Sequence, residues 1–230
     1  PDSNQDKTNL VIETIKSRAF LKHLILNHNI LPSLMAVESY DSDTKQLIFN
    51  KKIYDVTREK WVRTPSKGQP VEPTYLEAHE VYSTQLSIKK NKVTGFLDIS
   101  MDHLSPYFAS ELIQIVIKEA NELLRQQDLK ESTDAINFLT TELSKSNILS
   151  MKESINLLVQ SRLETQMMAR ISKDYVLKVL EPPFVPEKKF KPKRAIICIV
   201  ITLLGGMLSL VWIFLKHYVF KGHIRFEFPK

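Results

Sequence analysis

The spacing of apolar positions predicts a helical start to the chain. Residues 6–29 place apolar side chains three or four positions apart, with charged residues between them, as in an amphipathic helix that packs one face on a core. Pro32 ends this region, and residues 33–51 predict a second short helix followed by a turn at Asp41–Asp43. The apolar face of the first helix comprises Leu10, Ile15, Phe20, Leu21, Leu24 and Ile25.

Alternation of apolar and polar positions predicts a β-hairpin further along the chain. Residues 53–75 combine prolines and a glycine with scattered charges, which predicts a loop. Residues 80–86 and 93–99 alternate in the manner of half-buried strands. The run Lys-Lys-Asn-Lys at 89–92 predicts the turn between them.

Long helices are predicted after these strands. Ser105 followed by Pro106 is a strong helix start, because serine caps free N–H groups and proline fits the first turn. Residues 107–181 contain neither glycine nor proline and are rich in good helix formers. Asn147 and Ser150 weaken the middle, which predicts either a bend or the tip of a helical hairpin. Residues 175–180 then predict a strand.

Part of the 130–170 region is expected to project from the domain, because helices of this length exceed what a small sheet can cover. A projecting helix with an apolar stripe needs a partner. Two interpretations stay open, a contact between subunits and the core of an intramolecular hairpin. The candidates for oligomer contact are Ile136, Leu139, Leu143, Leu158 and Leu163.

A continuous apolar run near the end of the chain predicts a transmembrane helix. Residues 195–215 contain no charge, and as a helix they span about 30 Å, the thickness of the hydrocarbon core of a bilayer. The run lies too far from the start of the chain to be a secretory signal peptide. Basic residues flank it on both sides, so the positive-inside rule does not decide its orientation.

Small residues and prolines in this region predict two further features. Gly205 and Gly206 favour close packing of the membrane helix on a partner, although glycine is also simply tolerated in such helices. A proline-rich basic segment precedes the helix and predicts either a semi-rigid spacer or an ordinary linker. Its prolines are Pro182, Pro183, Pro186 and Pro192.

The positive charge of the chain is concentrated at the membrane flanks. The net charge is +6, yet residues 184–230 alone carry +7 and the remaining residues carry −1. Lysines beside a membrane helix suit anionic headgroups. A nucleic-acid surface would need its charge on the folded domain, so no nucleic-acid partner is expected.

No motif for catalysis or metal binding is recognisable. The five glycines form no phosphate-binding loop, and the single cysteine, Cys198, lies within the apolar run. His23 and His28 are five positions apart and do not share a helix face as a zinc pair would. We expect no catalytic residue, no cofactor site and no metal site, and Trp61 and Tyr107 look isolated rather than part of a sugar groove.

Four segments carry a resemblance to a known family. They are the helix IKSRAFLKHL (15–24), the strand-to-helix run DISMDHLSPYFASELIQIVI (98–117), the proline-rich approach YVLKVLEPPFVPEKKFKPKRA (175–195), and LLGGMLSL (203–210) within the apolar run. In this order the chain resembles the bacterial polysaccharide co-polymerases, the Wzz-type chain length determinant proteins. Ser209 departs from the family pattern, where a further glycine is often found.

The resemblance implies a fold and a function. Family members have two membrane spans, an α/β base near the membrane and a long projecting helix, so the first span is expected to be missing from this chain. They form homo-oligomeric rings in the bacterial inner membrane, with the main domain in the periplasm. They regulate the length of a surface polysaccharide, commonly O antigen, beside a membrane polymerase and its growing lipid-linked polymer, and the kinase-free class lacks a cytoplasmic kinase domain.

The predicted fold class is therefore α+β. The expected organisation is an α/β base (1–104), a projecting helical region (105–173), a strand returning to the base (174–181), a linker (182–194), a transmembrane helix (195–215) and a cytoplasmic tail (216–230). The rival interpretation is a membrane-anchored periplasmic adaptor of an export or secretion machine, which would use the helical region as an arm.

Overall fold

The structure is a computed structural model that describes residues 3–65, 68–145, 148–172, 174–185 and 194–219. The chain divides into two compact units, Pro1–Val185 and Pro186–Lys230, which are treated separately below. The described residues form a helix-rich fold that also contains small antiparallel sheets, in agreement with the predicted α+β class.

The predicted first helix is two helices. Helix α1 spans Ser3–Lys16 and α2 spans Arg18–His28. Ser17 between them has an extended backbone, and its hydroxyl oxygen accepts a hydrogen bond from the Phe20 N–H at 3.1 Å. The serine therefore acts as an N-cap that starts a new helix within a continuous apolar pattern. Asn29, with φ of 47°, ends α2 in the left-handed conformation that asparagine tolerates.

Two short β-hairpins follow a one-turn helix. Helix α3 (Leu31–Met35) leads into strands β1 (Val37–Asp41) and β2 (Gln46–Phe49), which pair antiparallel. The predicted turn begins at Asp41, whose carboxylate accepts hydrogen bonds from the Asp43 N–H and the Thr44 hydroxyl. Within the predicted loop lie the two-residue strands β3 (Tyr54–Asp55) and β4 (Lys60–Trp61).

The predicted strand at 80–86 is wrong, because these residues continue helix α4 (Tyr75–Gln85). A capping box starts this helix: the Thr74 hydroxyl accepts from the Glu77 N–H, and the Glu77 carboxylate accepts from the Thr74 N–H. The Arg63 guanidinium donates two hydrogen bonds to the same carboxylate, from Nη1 at 2.6 Å and from Nη2 at 3.1 Å. It also donates to the backbone carbonyls of Pro70 and Val71. The guanidinium thus holds the preceding loop against the start of α4.

The third hairpin is shifted relative to its prediction. Strands β5 (Leu86–Lys90) and β6 (Leu97–Met101) pair antiparallel, and the turn between them runs from Asn91 to Phe96 rather than over 89–92. Ile88 and Ile99 pair directly and pack on the core.

Helices α5 (Pro106–Lys145) and α6 (Leu149–Ile171) form an antiparallel helical hairpin. Ser105 starts α5 as predicted, since its hydroxyl oxygen accepts from the Phe108 N–H at 3.2 Å. The two helices separate at the predicted weak point, where residues 146 and 147 lie outside the described residues. The Gln166 side chain donates to the Thr133 hydroxyl across the pair at 2.9 Å.

The hydrophobic core joins the first half of α5 to helices α1–α4. Tyr82 of α4 is fully buried, and its hydroxyl donates to the Ile15 carbonyl at 3.2 Å. Leu10, assigned to the apolar face, is half exposed, and Val11 takes its place in the core. The core members on α5 end at Leu124. We call α1–α4, the three β-hairpins and α5 as far as Leu124 the base.

The strand predicted at 175–180, and the return strand at 174–181, are not formed. Residues 174–185 instead run without regular secondary structure along α5, and we call them the strap. In the second unit, helix α7 spans Arg194–Val219, and its stretch Cys198–Lys216 is long and apolar enough to cross a membrane. The tail beyond residue 219 lies outside the described residues.

Candidate functional site: polar anchors along helix α5

Polar residues of α5 bind segments from both ends of the first unit. Glu119 binds α2, Asp128 binds both α1 and the strap, and Asn121 and Ser110 bind the strap. Sequence reasoning missed all four residues, because each partner lies at least 47 positions away along the chain. The resulting site is a set of anchors that fix separate segments to one helix.

Glu119 bridges two histidines of α2. His23 Nε2 lies 2.7 Å from one carboxylate oxygen, and His28 Nε2 lies 3.0 Å from the other. Although they are five positions apart in the sequence, the two partly buried histidines therefore reach the same carboxylate. They meet because His28 ends α2 and α5 passes beside that end.

The electrostatics of this bridge favour an ionised Glu119. Burial works against the charged carboxylate, but the hydrogen bonds from His23 and His28 outweigh it, so the pKa of Glu119 lies below its ordinary value. Asn27 also contacts the His23 ring, with Nδ2 at 3.1 Å from Nδ1. The described residues contain no group of three or more metal-binding side chains arranged to hold an ion.

Asn121 supplies the hydrogen bonds that a neighbouring strand would have given the strap. Its Oδ1 accepts from the backbone N–H groups of Val176 at 3.0 Å and Leu177 at 2.7 Å, and its Nδ2 donates to the Leu177 carbonyl at 2.9 Å. Asn121 is 5% exposed, so water cannot replace these bonds. This explains why the β-like residues of the strap need no sheet.

Asp128 ties the beginning of the strap to α1. The Tyr175 hydroxyl donates to Asp128 Oδ2 at 2.5 Å, and the Lys7 ammonium lies 3.3 Å from the same oxygen. Lys7 also sits 5.2 Å from the centre of the Tyr175 ring. Burial, together with the neighbouring carboxylate, raises the pKa of the Tyr175 hydroxyl, which keeps the tyrosine neutral as a donor.

The three anchors that bind the strap share one face of α5. Ser110, Asn121 and Asp128 are separated by eleven and seven positions, which are close to whole numbers of helical turns. The Ser110 hydroxyl donates to the Pro183 carbonyl at 3.2 Å. From Ser110 to Asp128 the helix rises about 27 Å, and the strap from Tyr175 to Pro183 covers about 26 Å if extended. The strap therefore lies antiparallel along this face as an extended segment.

The predicted linker prolines fall into two groups. Pro183 belongs to the strap and is held through its carbonyl, and Pro182 beside it is exposed. Pro186 and Pro192 lie outside the described residues. The spacer hypothesis therefore stays a prediction for the segment between the strap and α7.

The proposed oligomer-contact residues divide between two surfaces of the helical hairpin. Ile136, Leu139 and Leu143 of α5 are partly covered, whereas Leu158 and Leu163 of α6 are 54% and 42% exposed. The buried side chains of α6 are Ile155 and Ala169, which are not among the proposed contact residues. The α6 surface thus keeps large apolar groups in contact with solvent, among them Leu149, Leu157, Met167, Met168 and Ile171.

Aromatic residues that look isolated in the sequence are paired in the structure. Tyr107 lies beside Tyr40, with ring centres 6.4 Å apart, and the Lys45 ammonium lies 5.0 Å from the Tyr107 ring centre. Trp61 packs edge-on against Tyr54. Tyr107 borders a shallow surface depression of about 390 Å³ whose polar lining comprises Ser33, Lys45, Gln46, Ser105 and Glu111.

The glycine pair of α7 faces open space within its unit. A Cβ atom added to Gly205 or Gly206 would meet no other atom within 4 Å. A smooth, small-residue surface of this kind lets a second membrane helix approach closely.

Comparison of the chain with protein-family models and with curated protein sequences found no match. The arrangement itself provides structural anchoring: charged and amide groups on α5 fix α1, α2 and the strap to the same helix.

Proposed function

We propose that this chain is a non-enzymatic, inner-membrane regulator of surface polysaccharide chain length. It would act with a membrane polymerase on a growing lipid-linked polymer, with Pro1–Val185 in the periplasm. The order of elements carries this proposal: a small α+β base, a long helical hairpin, an extended strap, a proline-rich basic segment and an apolar helix. The same order underlies the resemblance to the Wzz-type chain length determinants.

In this proposal the chain acts by holding surfaces in place. The strap precedes the linker in the sequence, and its bonds to Ser110, Asn121 and Asp128 limit how far α5 can move relative to the strap. A displacement of the helical hairpin would then be transmitted through the strap to the linker. Such a coupling suits a protein that must adjust a membrane polymerase from outside the bilayer.

Assembly of several copies is the second part of the proposal. The exposed apolar groups of α6 lie on a surface that the chain itself leaves uncovered. Extended apolar surface of this kind marks interaction sites. A homo-oligomeric ring would cover Leu158 and Leu163 and leave the base residues unchanged. In the membrane, Gly205 and Gly206 would face a partner helix.

Complementation tests the function directly. The full-length gene is placed in a bacterium that lacks its own chain length determinant, and its lipopolysaccharide is resolved by gel electrophoresis. We expect a random ladder to become a narrow cluster of lengths. A vector without insert and a variant lacking residues 130–170 serve as controls. An unchanged ladder, with the protein present and oligomeric in the membrane, would overturn the proposal and favour the export-adaptor interpretation.

A further inference from the structure

The tip of the β5–β6 hairpin combines three features that the proposed function does not use. It presents two large apolar side chains to solvent, it carries a cluster of lysines, and its backbone is closed by internal hydrogen bonds. Each feature is common alone. Together they match the requirements of a segment that enters the interface of a lipid bilayer.

The apolar groups are unusually exposed for an ordered turn. Val93 is 94% exposed, the highest value among the large apolar side chains of the described residues, and Phe96 is 55% exposed. Gly95, with φ of +76°, provides the left-handed backbone that the turn needs, so the turn does not depend on an apolar residue at 93. Val93 and Phe96 therefore contribute little to folding and remain available to a partner.

The charge around the tip has one sign. Lys89, Lys90 and Lys92 lie within four positions of Val93, and the acidic residue nearest in the hairpin is Asp98, which pairs with Lys89 across the strands. A cluster of lysines beside apolar side chains is complementary to a bilayer that contains anionic lipid. The long lysine side chains can keep their ammonium groups among the headgroups while their stems cover apolar surface.

Most N–H groups of the turn already have partners within the hairpin. Asn91 Oδ1 accepts from the N–H groups of Val93 and Thr94, the Asn91 carbonyl accepts from Gly95, and the Phe96 carbonyl accepts from the Asn91 N–H at 2.8 Å. The Phe96 N–H is directed to the Thr94 hydroxyl at 3.4 Å. Unpaired backbone groups are costly to remove from water, so these internal hydrogen bonds lower the cost of entering the interface.

We propose that the β5–β6 hairpin is a second membrane contact, which inserts Val93 and Phe96 into the headgroup region of an anionic bilayer while the lysines bind lipid phosphates. The inference does not require the polysaccharide function. It rests on anchoring of the chain by α7, which raises the effective concentration of the first unit at a bilayer surface and lets a weak contact persist.

A fluorescent probe on single cysteines tests the proposal in the full chain. Cys198 is replaced by serine, and Val93→Cys, Phe96→Cys and Val56→Cys variants are each labelled with the environment-sensitive dye NBD. Val56 is the matched control, because it is 54% exposed in another turn, where Asp55 and Glu59 accompany Arg58. The labelled proteins are reconstituted into vesicles of phosphatidylethanolamine and phosphatidylglycerol, and flotation establishes that they are anchored.

We expect a severalfold rise in emission and a shift to shorter wavelength at positions 93 and 96, quenched by nitroxide-labelled lipid, and neither change at position 56. The Lys89→Glu/Lys92→Glu double variant, or vesicles of phosphatidylcholine alone, should reduce the rise. Floating protein with water-like emission at 93 and 96 would overturn the hairpin contact and leave the anchoring intact. Failure to float would overturn the anchoring on which the proposal rests.

Discussion

Asn121 binds Leu177 in the way one β-strand binds another: its side-chain amide donates to the Leu177 carbonyl and accepts from the Leu177 N–H. One helical side chain thereby replaces a strand as partner for an extended segment. Because Val176 donates to the same oxygen, three backbone groups depend on a single residue.

Asn121→Ala should release the strap from α5. Removing the amide leaves the Val176 and Leu177 N–H groups and the Leu177 carbonyl without these partners in a part-buried place, so the free energy of unfolding should fall by about 2–3 kcal/mol. Hydrogen exchange at residues 174–180 should accelerate. Chemical denaturation and exchange mass spectrometry measure both. Asn137→Ala, at an exposed position on the same helix, is the control, and equal losses in the two variants would contradict the assignment.

Glu119→Gln should change how stability depends on pH. The pKa of Glu119 is lower in the folded protein than in the unfolded chain, so its contribution is complete above the unfolded pKa and is lost as pH falls through the folded pKa. We expect the variant to lose about 1–2 kcal/mol near neutral pH, with the difference from the unsubstituted protein vanishing in acid.

Denaturation across a pH series measures this difference. Glu80→Gln, which alters an exposed carboxyl of α4, is the control. A difference between Glu119→Gln and the unsubstituted protein that stays constant into strong acid would show that the histidine bridge does not hold the ionised carboxylate.

Arg63→Ala should loosen the loop before α4. The guanidinium makes charge-assisted bonds to Glu77 and also closes the loop through the Pro70 and Val71 carbonyls. Because the Arg63 and Glu77 side chains are only 18% and 22% exposed, losing this ion pair should lower the free energy of unfolding by about 2 kcal/mol. Limited proteolysis should cut the loop sooner. Arg58→Ala, which removes an 80% exposed arginine, should leave both cleavage and stability nearly unchanged.

Substitutions at buried and at exposed positions of α6 should separate folding from assembly. Ile155→Ala empties a site that is 9% exposed and should cost about 2–4 kcal/mol in the free energy of unfolding. Leu158→Ala removes a 54% exposed side chain and should leave subunit folding almost unaffected, yet lower the oligomer mass measured by light scattering. An unchanged mass for Leu158→Ala together with Leu163→Ala would argue against an α6 contact between copies.

Gly206→Leu should alter polysaccharide length while the oligomer survives. A Cβ atom at this position meets no other atom within 4 Å, so the expected effect comes from contact of the leucine with a partner helix. Leu208→Phe is the matched control, because position 208 points about 200° away around α7. If Gly206→Leu gives the same length distribution as the unsubstituted protein, the packing role of this glycine is contradicted.

Local signals in the sequence predicted local structure well. Ser105-Pro106 marked the start of α5, and the breaker-free run with a weak point near Asn147 marked a helical hairpin as one of two alternatives. The error at 80–86 came from weighing alternation above the capping box of Thr74 and Glu77, which was present in the sequence as T-x-x-E. Ser17 is likewise an N-cap, but the continuous apolar pattern around it led to the prediction of a single helix.

The anchoring site could not be predicted, because its partners are far apart in the chain. Nothing near His23 or His28 points to Glu119, and an asparagine within a helix carries no mark of the extended segment that it binds. The β-rich composition of Tyr175–Leu180 predicted a strand, and these residues instead run beside α5 without regular secondary structure. It could not report whether a strand or a helical side chain would complete the hydrogen bonds.

The three sheets have a consequence for the order of folding. Among the described residues each sheet consists of a single hairpin between neighbouring segments, so this strand pairing is local and can form early during synthesis. The ties between distant segments instead converge on α5, at Glu119, Asn121 and Asp128. Helices α1 and α2 can pack on α4 first, but the rest of their apolar faces must stay uncovered until α5 has emerged. The interval before α5 arrives is when the nascent chain most needs protection from aggregation.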